Sequence, residues 1–324
     1  MIVLLTGATG YVGKEVARQL AVCGYEVYGL SRSHYPGSGN TLTADLRDRD
    51  ALSNALKDLP FGAVIHLASL PGDTGNPQEM LDVNVTGCCN LMEEARRRSA
   101  VCIIASSISA YEWYPATPFC APDYLPVDEQ HPCRPRDMYS VTKRMQELLV
   151  QTYYHQYGLK ASALRLTAVA GPEGRGGGRS WFEIARQMSL RGDVELPHFS
   201  ETELCHYVDR RDVARMLIAA IENENSAGEI FNCCGPAPTT GREFADIVES
   251  VFPGCHAVFG FPWSMAQGGR IEFSMAKAKE KLGFEPIYSI HDTVLSIRDW
   301  IDSGGLDDSG NKPDEKFGAG VSAK

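Results

Sequence analysis

Hydrophobic residues along the first 170 positions alternate between short continuous runs and a helical period. The runs predict buried strands at 2–5, 26–30, 63–68, 101–105 and 161–166. Apolar residues spaced three or four apart predict helices at 14–23, 51–59, 78–98 and 138–157. Because strands and helices alternate, we expect an α/β fold, in which a doubly wound parallel sheet carries helices on both faces.

The regular alternation of strands and helices ends after residue 170. A Gly-rich loop at 171–180 precedes helices predicted at 181–191, 208–221, 241–253, 275–282 and 290–301, with one strand at 229–233. Thr239 or Thr240 is the candidate N-cap of the helix at 241–253. The segment 303–324 has little to bury and is predicted to be a flexible tail.

Composition narrows the classes of partner. The 324 residues include 31 Lys and Arg against 41 Asp and Glu, which gives a formal net charge of −10. This charge disfavours nucleic acid and anionic membrane surfaces, because both bind positive protein surfaces. The chain has no apolar stretch of about 18 residues, so no membrane-spanning segment is expected.

The cysteines bear on metal binding and on the cellular compartment. None of the 10 cysteines forms a C-x-x-C pair, so we expect no metal site. Most lie inside apolar runs, and we interpret them as buried free thiols. The apolar run at 2–5 is too short for a secretory signal, and free thiols fit a cytoplasmic protein.

Three glycines follow the first predicted strand. Gly7, Gly10 and Gly13 stand between that strand and the first predicted helix. Without a Cβ, the backbone can turn tightly and approach a pyrophosphate, which the free N–H groups of a helix N-terminus then bind. The sequence therefore predicts a dinucleotide site at this turn.

The next two strand ends suggest how the adenosine half is bound. Ser31 and Arg32 follow the second strand, where a carboxylate usually binds the ribose of NAD. A cation beside a hydroxyl suits a 2′-phosphate, so we expect NADP, with NAD as the alternative; Arg32 as a solvated surface charge stays open. Asp45 is a candidate partner of the adenine amino group, with Leu46 against the ring, unless Asp45 is simply an exposed turn residue.

A Tyr-Lys pair is the candidate catalytic feature. Tyr139 and Lys143 are four residues apart and share one face of the helix at 138–157. An ammonium beneath a phenol is expected to lower the phenol's pKa and so to assist proton transfer. Ser107 ends the strand at 101–105 with a hydroxyl that could polarise the same substrate oxygen.

With these features, the chain resembles the extended short-chain dehydrogenase/reductase family, in its epimerase/dehydratase branch. The resemblance covers about residues 1–302 and rests on GATGYVG at 7–13, ADL at 44–46, VIHLAS at 64–69, NVTG at 84–87, SSISAYE at 106–112, YSVTK at 139–143, LRLTAVAGP at 164–172, YVDRRDVA at 207–214 and KEKLGFEP at 279–286.

The resemblance implies an architecture and a set of roles. A Rossmann-type domain at 1–165, to which the chain returns near 205–235, would bind NAD(P), and 166–302 would form mainly a smaller substrate domain. Ser107, Tyr139 and Lys143 would be catalytic, and the protein would form a homodimer through its two long helices. The cofactor contacts would be Gly7, Thr9, Gly10, Tyr11, Val12, Gly13, Ser31, Arg32, Asp45, Leu46, Leu67, Ala68, Ser69, Asn84, Tyr139 and Lys143.

Several positions depart from the family pattern and bear on the substrate. Ser107 is followed by Ile108-Ser109 instead of an acidic pair, which argues against dehydratase chemistry. Thr167 stands where nucleotide-sugar epimerases usually have Asn, and Cys205-His206 where they have Arg. The candidate substrate-binding residues are Ser109, Glu112, Thr167, Arg175, Arg179 and His206. The two arginines suit phosphate or carboxylate binding, and His206 is either an auxiliary acid/base group or structural.

Three functions fit these features. The first is an NAD(P)-dependent oxidoreductase or epimerase acting on a sugar or nucleotide sugar through hydride transfer. The second is a reductase or dehydrogenase of a non-nucleotide carbonyl compound or sugar acid, which the missing Asn and Arg favour. The third, a non-catalytic cofactor sensor, would not require the Tyr-Lys pair that this chain has.

Overall fold

The structure is a computed structural model that describes residues 1–32, 40–72, 76–111, 122–174, 181–198, 200–260 and 271–306. Elements are numbered in chain order. The strands of the central sheet are β1 (Ile2–Thr6), β2 (Glu26–Ser31), β3 (Asn40–Thr43), β4 (Ala63–His66), β5 (Val101–Ser107), β6 (Ala161–Leu166) and β11 (Ile230–Cys233). All seven pair in parallel, in the spatial order β11-β6-β5-β4-β1-β2-β3. The predicted doubly wound parallel sheet is confirmed.

Helices cover both faces of this sheet, because its strands are apolar on both sides. On one face, α1 (Tyr11–Val22), α7 (Arg210–Glu222) and α9 (Ala276–Leu282) share a core with Val3, Ile65 and Phe231. On the other, α2 (Arg49–Leu56), α4 (Gly87–Arg97) and α5 (Met138–Tyr157) pack on Leu4, Val64 and Ile104. Strand order reverses between β1 and β4, and ligands of such sheets bind outside the carboxyl ends at this switch point.

A second hydrophobic core is formed by the later elements. Its helices are α6 (Trp181–Leu190), α8 (Gly241–Val251) and α10 (Ile290–Asp302). Three two-stranded sheets belong to this part of the chain: β7 (Ala168–Ala170) with β10 (Tyr207–Asp209), β8 (Asp193–Glu195) with β13 (His256–Val258), and β9 (Leu204–Cys205) with β12 (Thr239–Thr240). Thr240 rather than Thr239 caps α8, through a capping box with Glu243.

The helix predicted at 78–98 is not uniform. It consists of α3 (Pro77–Met80), a π-helical segment at Leu81–Thr86, and α4. The π segment contains Asn84, whose backbone oxygen accepts a 2.6 Å hydrogen bond from Nε2 of Gln146 in α5. The hydrophobic periodicity of the sequence cannot predict this widened turn, because the turn is stabilised by contacts from another helix. Such π turns occur mainly at functional sites.

The described residues lack two further features. No described helix is both long and apolar enough to cross a membrane. The described residues also contain no group of three His, Cys, Asp or Glu side chains that could hold a metal ion. All nine described cysteines are free thiols, six of them buried, while Cys23 is exposed and Cys120 lies outside the described residues.

Candidate active site

The three glycines form a tight turn between β1 and α1. Gly7 has a φ of +71°, and a Cβ there would lie 2.9 Å from the backbone nitrogen of Ala68. A Cβ on Gly13 would overlap the carbonyl oxygen of Gly7. Gly10 is the N-cap of α1, and no described side chain caps this helix end. Only glycine permits these approaches, and the resulting surface of backbone N–H groups fits the pyrophosphate of a dinucleotide.

The other residues of the turn differ in exposure. Thr9 is exposed, and Val12 packs partly against the core. The hydroxyl of Tyr11 donates a 2.6 Å hydrogen bond to the carbonyl of Val169, and burial raises its pKa. Tyr11 therefore ties α1 to β7 with its side chain, so only its backbone is available to a phosphate.

The strand ends at Ser31 and Asp45 lie side by side. β2 and β3 pair in register at Ser31 and Thr43, and Arg32 is exposed beyond them. Arg47 binds Asp45 through two nitrogens, the shorter contact being 2.6 Å, and lowers the pKa of that carboxyl, with a smaller contribution from Arg32. Arg32 thus lies near enough to Asp45 to influence it electrostatically.

The side chain of Leu46 is largely enclosed. It is only 8% exposed and belongs to the core beneath α4, where a Cβ on Gly87 would lie 2.9 Å from that of Leu46. The close packing of α4 explains why so little of Leu46 remains for contact with an adenine ring.

Hydrogen bonds hold the loop that follows β4. The backbone nitrogen of Ala68 donates to Thr6 Oγ1, which also contacts His66 Nδ1 at 2.7 Å. Asn84 is fully buried; its Oδ1 accepts from the backbone of Leu70 and from the Ser69 hydroxyl, and its Nδ2 donates to Leu70 and Thr142. Leu67, next to Gly7, continues the sheet edge with a hydrogen bond to Thr6. This loop is therefore fixed from two sides.

The candidate catalytic side chains meet at the carboxyl end of β5. Asp137 caps α5 through the backbone nitrogen of Ser140 at 2.8 Å, so the helix begins just before Tyr139. Lys143 Nζ donates to the carbonyl of Ala105 at 2.9 Å and lies 5.6 Å from the centre of the Tyr139 ring. A hydrogen bond joins the side chains of Tyr139 and Ser107. The structure brings all three together.

The electrostatics of this group differ from the expectation. Burial raises the pKa of Tyr139 to about 12, while the hydrogen bond from Ser107 opposes that rise. Burial lowers the pKa of Lys143 to about 8. The predicted lowering of the phenol's pKa by Lys143 was wrong for this structure, because burial dominates and the Lys143 ammonium donates to the Ala105 carbonyl.

The candidate substrate residues fall into three groups. The hydroxyl of Thr167 donates to the Cys233 carbonyl at 3.3 Å, so it joins β6 to β11. Ser109 has a buried Oγ without a hydrogen-bond partner among the described residues. Glu112, Arg175 and Arg179 lie outside the described residues.

Of the two roles expected for His206, its contacts favour the structural one. Its Nε2 contacts the Gly235 carbonyl at 3.0 Å, and its Nδ1 accepts a hydrogen bond from the Phe273 backbone at 3.1 Å. Burial lowers its pKa to about 4, so the ring is neutral near pH 7. Both nitrogens serve the backbone, and neither is available as an acid or base.

Sequence reasoning missed a buried ionic cluster beside the site. Glu147, one turn after Lys143, is fully buried and accepts hydrogen bonds from Ser106, Arg144 and Arg165. The sequence did hold one indication that Glu147 lies near the site, since it follows Lys143 by four positions and therefore shares a face of the same helix. His66 was also missed; burial lowers its pKa to about 3, and its Nε2 has no partner among the described residues.

The fold and site together define a dinucleotide-binding α/β protein with a Ser-Tyr-Lys group at its sheet edge. Residues 3–234 match the NAD dependent epimerase/dehydratase family. The chain is 32% identical over 337 residues to UDP-glucuronate 4-epimerase 1 of Arabidopsis thaliana, covering 92% of this chain and 76% of that protein. It therefore belongs to the NAD dependent epimerase/dehydratase family and is an enzyme of the extended short-chain dehydrogenase/reductase type.

Solved structures agree in fold. UDP-glucose 4-epimerase of Thermotoga maritima, solved with UDP-glucose, has a TM-score of 0.79 at 20% identity, covering 94% of this chain and 99% of that chain. UDP-glucose 4-epimerase of Thermus thermophilus, solved with NAD, has a TM-score of 0.73 at 24% identity, covering 92% and 99%. The expected family and Rossmann-type fold are confirmed.

Proposed function

We propose that this protein is an NAD(P)-dependent epimerase that inverts a carbinol carbon of a nucleotide sugar. The observation that carries the proposal is the meeting of Ser107, Tyr139 and Lys143 at the end of β5, at the same sheet edge as the glycine turn that follows β1. The Arabidopsis relative is a UDP-glucuronate 4-epimerase, and the Thermotoga structure holds UDP-glucose. These names support a UDP-sugar as the substrate.

The chemistry supplied by the bound nicotinamide is reversible hydride transfer at the carbinol carbon. We assign Tyr139 the transfer of the hydroxyl proton, and Ser107 the orientation of that same oxygen by a hydrogen bond. With a pKa of about 12, the phenol is protonated near pH 7 and ready to protonate a keto oxygen. The Lys143 ammonium stabilises the phenolate in the reverse direction, and its remaining protons can bind the nicotinamide ribose.

The residues that would hold the cofactor fit a dinucleotide. The glycine turn offers backbone N–H groups to the pyrophosphate, and the loop at 67–69, fixed by Asn84, would border the nicotinamide half. We propose NADP as the preferred form, because Arg32 is exposed at the tip of β2 and can meet a 2′-phosphate. The NAD in the Thermus structure makes NAD the competing form.

The second hydrophobic core is our proposed substrate domain, within residues 166–302. Ser109, which follows Ser107 by two positions, is a further proposed substrate contact, since its buried hydroxyl lacks a partner among the described residues. Glu112, Arg175 and Arg179 keep their proposed substrate roles, with the arginines at the phosphates. Residues 303–324 stay a predicted tail.

A homodimer in the cytoplasm completes the proposal. Met145 and Leu148 lie three residues apart on α5 and are 36% and 48% exposed, which is unusual for large apolar side chains on a helix that lines the core. We propose that this face of α5, with α4, packs against a second copy. The free thiols support a reducing compartment.

The decisive experiment measures epimerisation of UDP-glucose and UDP-glucuronate by the wild type and by Tyr139→Phe. We expect turnover in the wild type and a loss of about 10²–10⁴-fold in the variant, which should still bind the cofactor. Full activity of the variant would contradict the role of Tyr139. If no nucleotide among UDP, GDP, CDP and dTDP raises the melting temperature, the nucleotide-sugar substrate is wrong and a non-nucleotide carbonyl substrate replaces it.

A further inference from the structure

A cavity of about 350 Å³ lies at the edge of the sheet, between α5, β6, β11 and α9. Its walls include Arg144 from α5, Arg165 from β6 and Lys277 from α9. None of the three proposed catalytic side chains lines it. The volume is within the range of small-molecule sites, so the cavity can hold a ligand separate from the sugar and the cofactor.

The charge of the cavity favours an anion. Arg144 and Arg165 share a single carboxylate, that of Glu147. Lys277 and Lys281 likewise share the carboxylate of Glu229. Each pair of cations therefore has one positive charge left over.

Glu129 is the remaining carboxyl in the wall, and burial raises its pKa, which favours its uncharged form. Even if Glu129 is ionised, the charged lining residues and their ion-pair partners Glu147 and Lys281 together comprise four cations and three carboxylates. A positive charge therefore remains in the wall in either case, and an anion would neutralise it.

Arg165 supplies the most specific feature. It is 1% exposed, its Nε and Nη2 each lie 2.8 Å from Glu147, and its guanidinium lies 4.3 Å from the centre of the Tyr111 ring. Its Nη1 is buried and has no hydrogen-bond partner among the described residues. Arg165 therefore contributes its positive charge from behind the cavity wall, because this enclosed nitrogen is not open to the cavity itself.

The neighbouring cations can add donors. Arg144 contacts Glu147 through Nη1 at 2.9 Å, so its other guanidinium nitrogens are not used in that ion pair. Lys277 Nζ donates to the Ile230 carbonyl at 2.7 Å and pairs with Glu229, which leaves one proton. We propose that this cavity binds a small oxyanion, a carboxylate or a phosphate, through Arg144 and Lys277, with the buried Arg165 adding positive charge behind them.

The site also adjoins the proposed catalytic group. Glu147 accepts a 2.7 Å hydrogen bond from Ser106, the residue before Ser107, and it raises the pKa of Lys143 slightly against the effect of burial. An anion that draws Arg144 or Arg165 away from Glu147 would leave the charge of this carboxylate less neutralised, and so strengthen its effect on the pKa of Lys143. The cavity is therefore a place from which a small anion could influence turnover.

The test is calorimetric titration of the cofactor-saturated enzyme with inorganic phosphate and, separately, with malonate. Saturation with cofactor keeps the probes out of the glycine turn, and UDP added at saturating concentration keeps them out of the proposed substrate-phosphate site. We expect one saturable site per chain for at least one probe, and the probe that binds more tightly identifies the oxyanion. Arg144→Met and Lys277→Met should each weaken binding about tenfold, because each removes a charge-assisted hydrogen bond.

Arg242→Met is the matched control, since Arg242 is a paired cation on α8, away from the cavity. It should leave the affinity unchanged, and melting temperatures measured without the probes should show that all three variants are folded. Two results would overturn the proposal: no saturable binding of either probe, or equal affinities in the cavity variants and the control. Either would mean that the spare donors of this cavity bind no anion, and neither would bear on the epimerase proposal.

Discussion

Glu147→Gln is the substitution that examines the buried ionic cluster most directly. Glu147 is fully buried and accepts four hydrogen bonds, one from Ser106, one from Arg144 and two from Arg165. Glutamine has nearly the same shape but no charge, and its amide nitrogen cannot accept. The variant would thus leave the Arg165 guanidinium, itself 1% exposed, buried without a counter-charge.

The expected loss of stability follows from this burial. Removing one partner of a buried ion pair costs about 3–5 kcal/mol, because the other charge stays desolvated and uncompensated. Glu183→Gln is the matched control: Glu183 also pairs with an arginine three residues later, Arg186, but their side chains are 32% and 50% exposed. An exposed pair of this kind contributes less than about 1 kcal/mol.

Urea unfolding followed by circular dichroism measures both variants, with stability taken from linear extrapolation. A loss in Glu147→Gln no larger than in Glu183→Gln would refute the reasoning. The double variant Glu147→Gln/Arg165→Met adds a second check, since removal of the stranded guanidinium should recover part of the loss. Identical or greater destabilisation of the double variant would mean that packing, and not the unpaired charge, sets the cost.

Three further outcomes are expected. Arg32→Ala should lower the affinity for NADP(H) about tenfold and leave the affinity for NAD(H) unchanged, as measured by fluorescence titration. Equal losses of affinity for both cofactors would contradict the 2′-phosphate contact. Burial lowers the pKa of Lys143 from 10.5 to about 8, so the unfolded chain binds more protons between these values. The stability of the cofactor-free wild type relative to Lys143→Met should therefore rise from pH 8 towards 10.5, and a flat difference in urea unfolding would contradict the shift. Leu148→Glu should convert the proposed dimer to monomers in sedimentation, whereas the control Leu190→Glu, at an even more exposed site on α6, should not.

Local sequence patterns predicted many of the helices and strands correctly. The predicted limits of the helix at 138–157 and of the strand at 161–166 agree with α5 and β6. Both elements have strong periodic patterns, and α5 ends at Gly158, whose positive φ terminates it. The helix at 78–98 was predicted less well, because the π turn around Asn84 depends on Gln146, sixty-two residues away.

The candidate site shows the same division. The spacing of Tyr139 and Lys143 placed them on one helix face, and Ser107 followed a strongly apolar strand, so their meeting was foreseeable. The protonation of the pair was not, because desolvation depends on what covers a side chain in three dimensions. His206 illustrates the limit, since its two backbone partners at Gly235 and Phe273 are invisible to local pattern.

By itself, then, the sequence determined the alternation of strands and helices, the glycine turn and the identity of the Ser-Tyr-Lys group, because these depend on residue type and short-range spacing. Tertiary structure alone decided which polar groups are buried together. Glu147 and Arg165 become a compensated pair, and Arg165 keeps a nitrogen without a partner among the described residues, only because β6 lies beneath α5. Burial and long-range contact set these energies, and neither can be obtained from the order of residues along the chain.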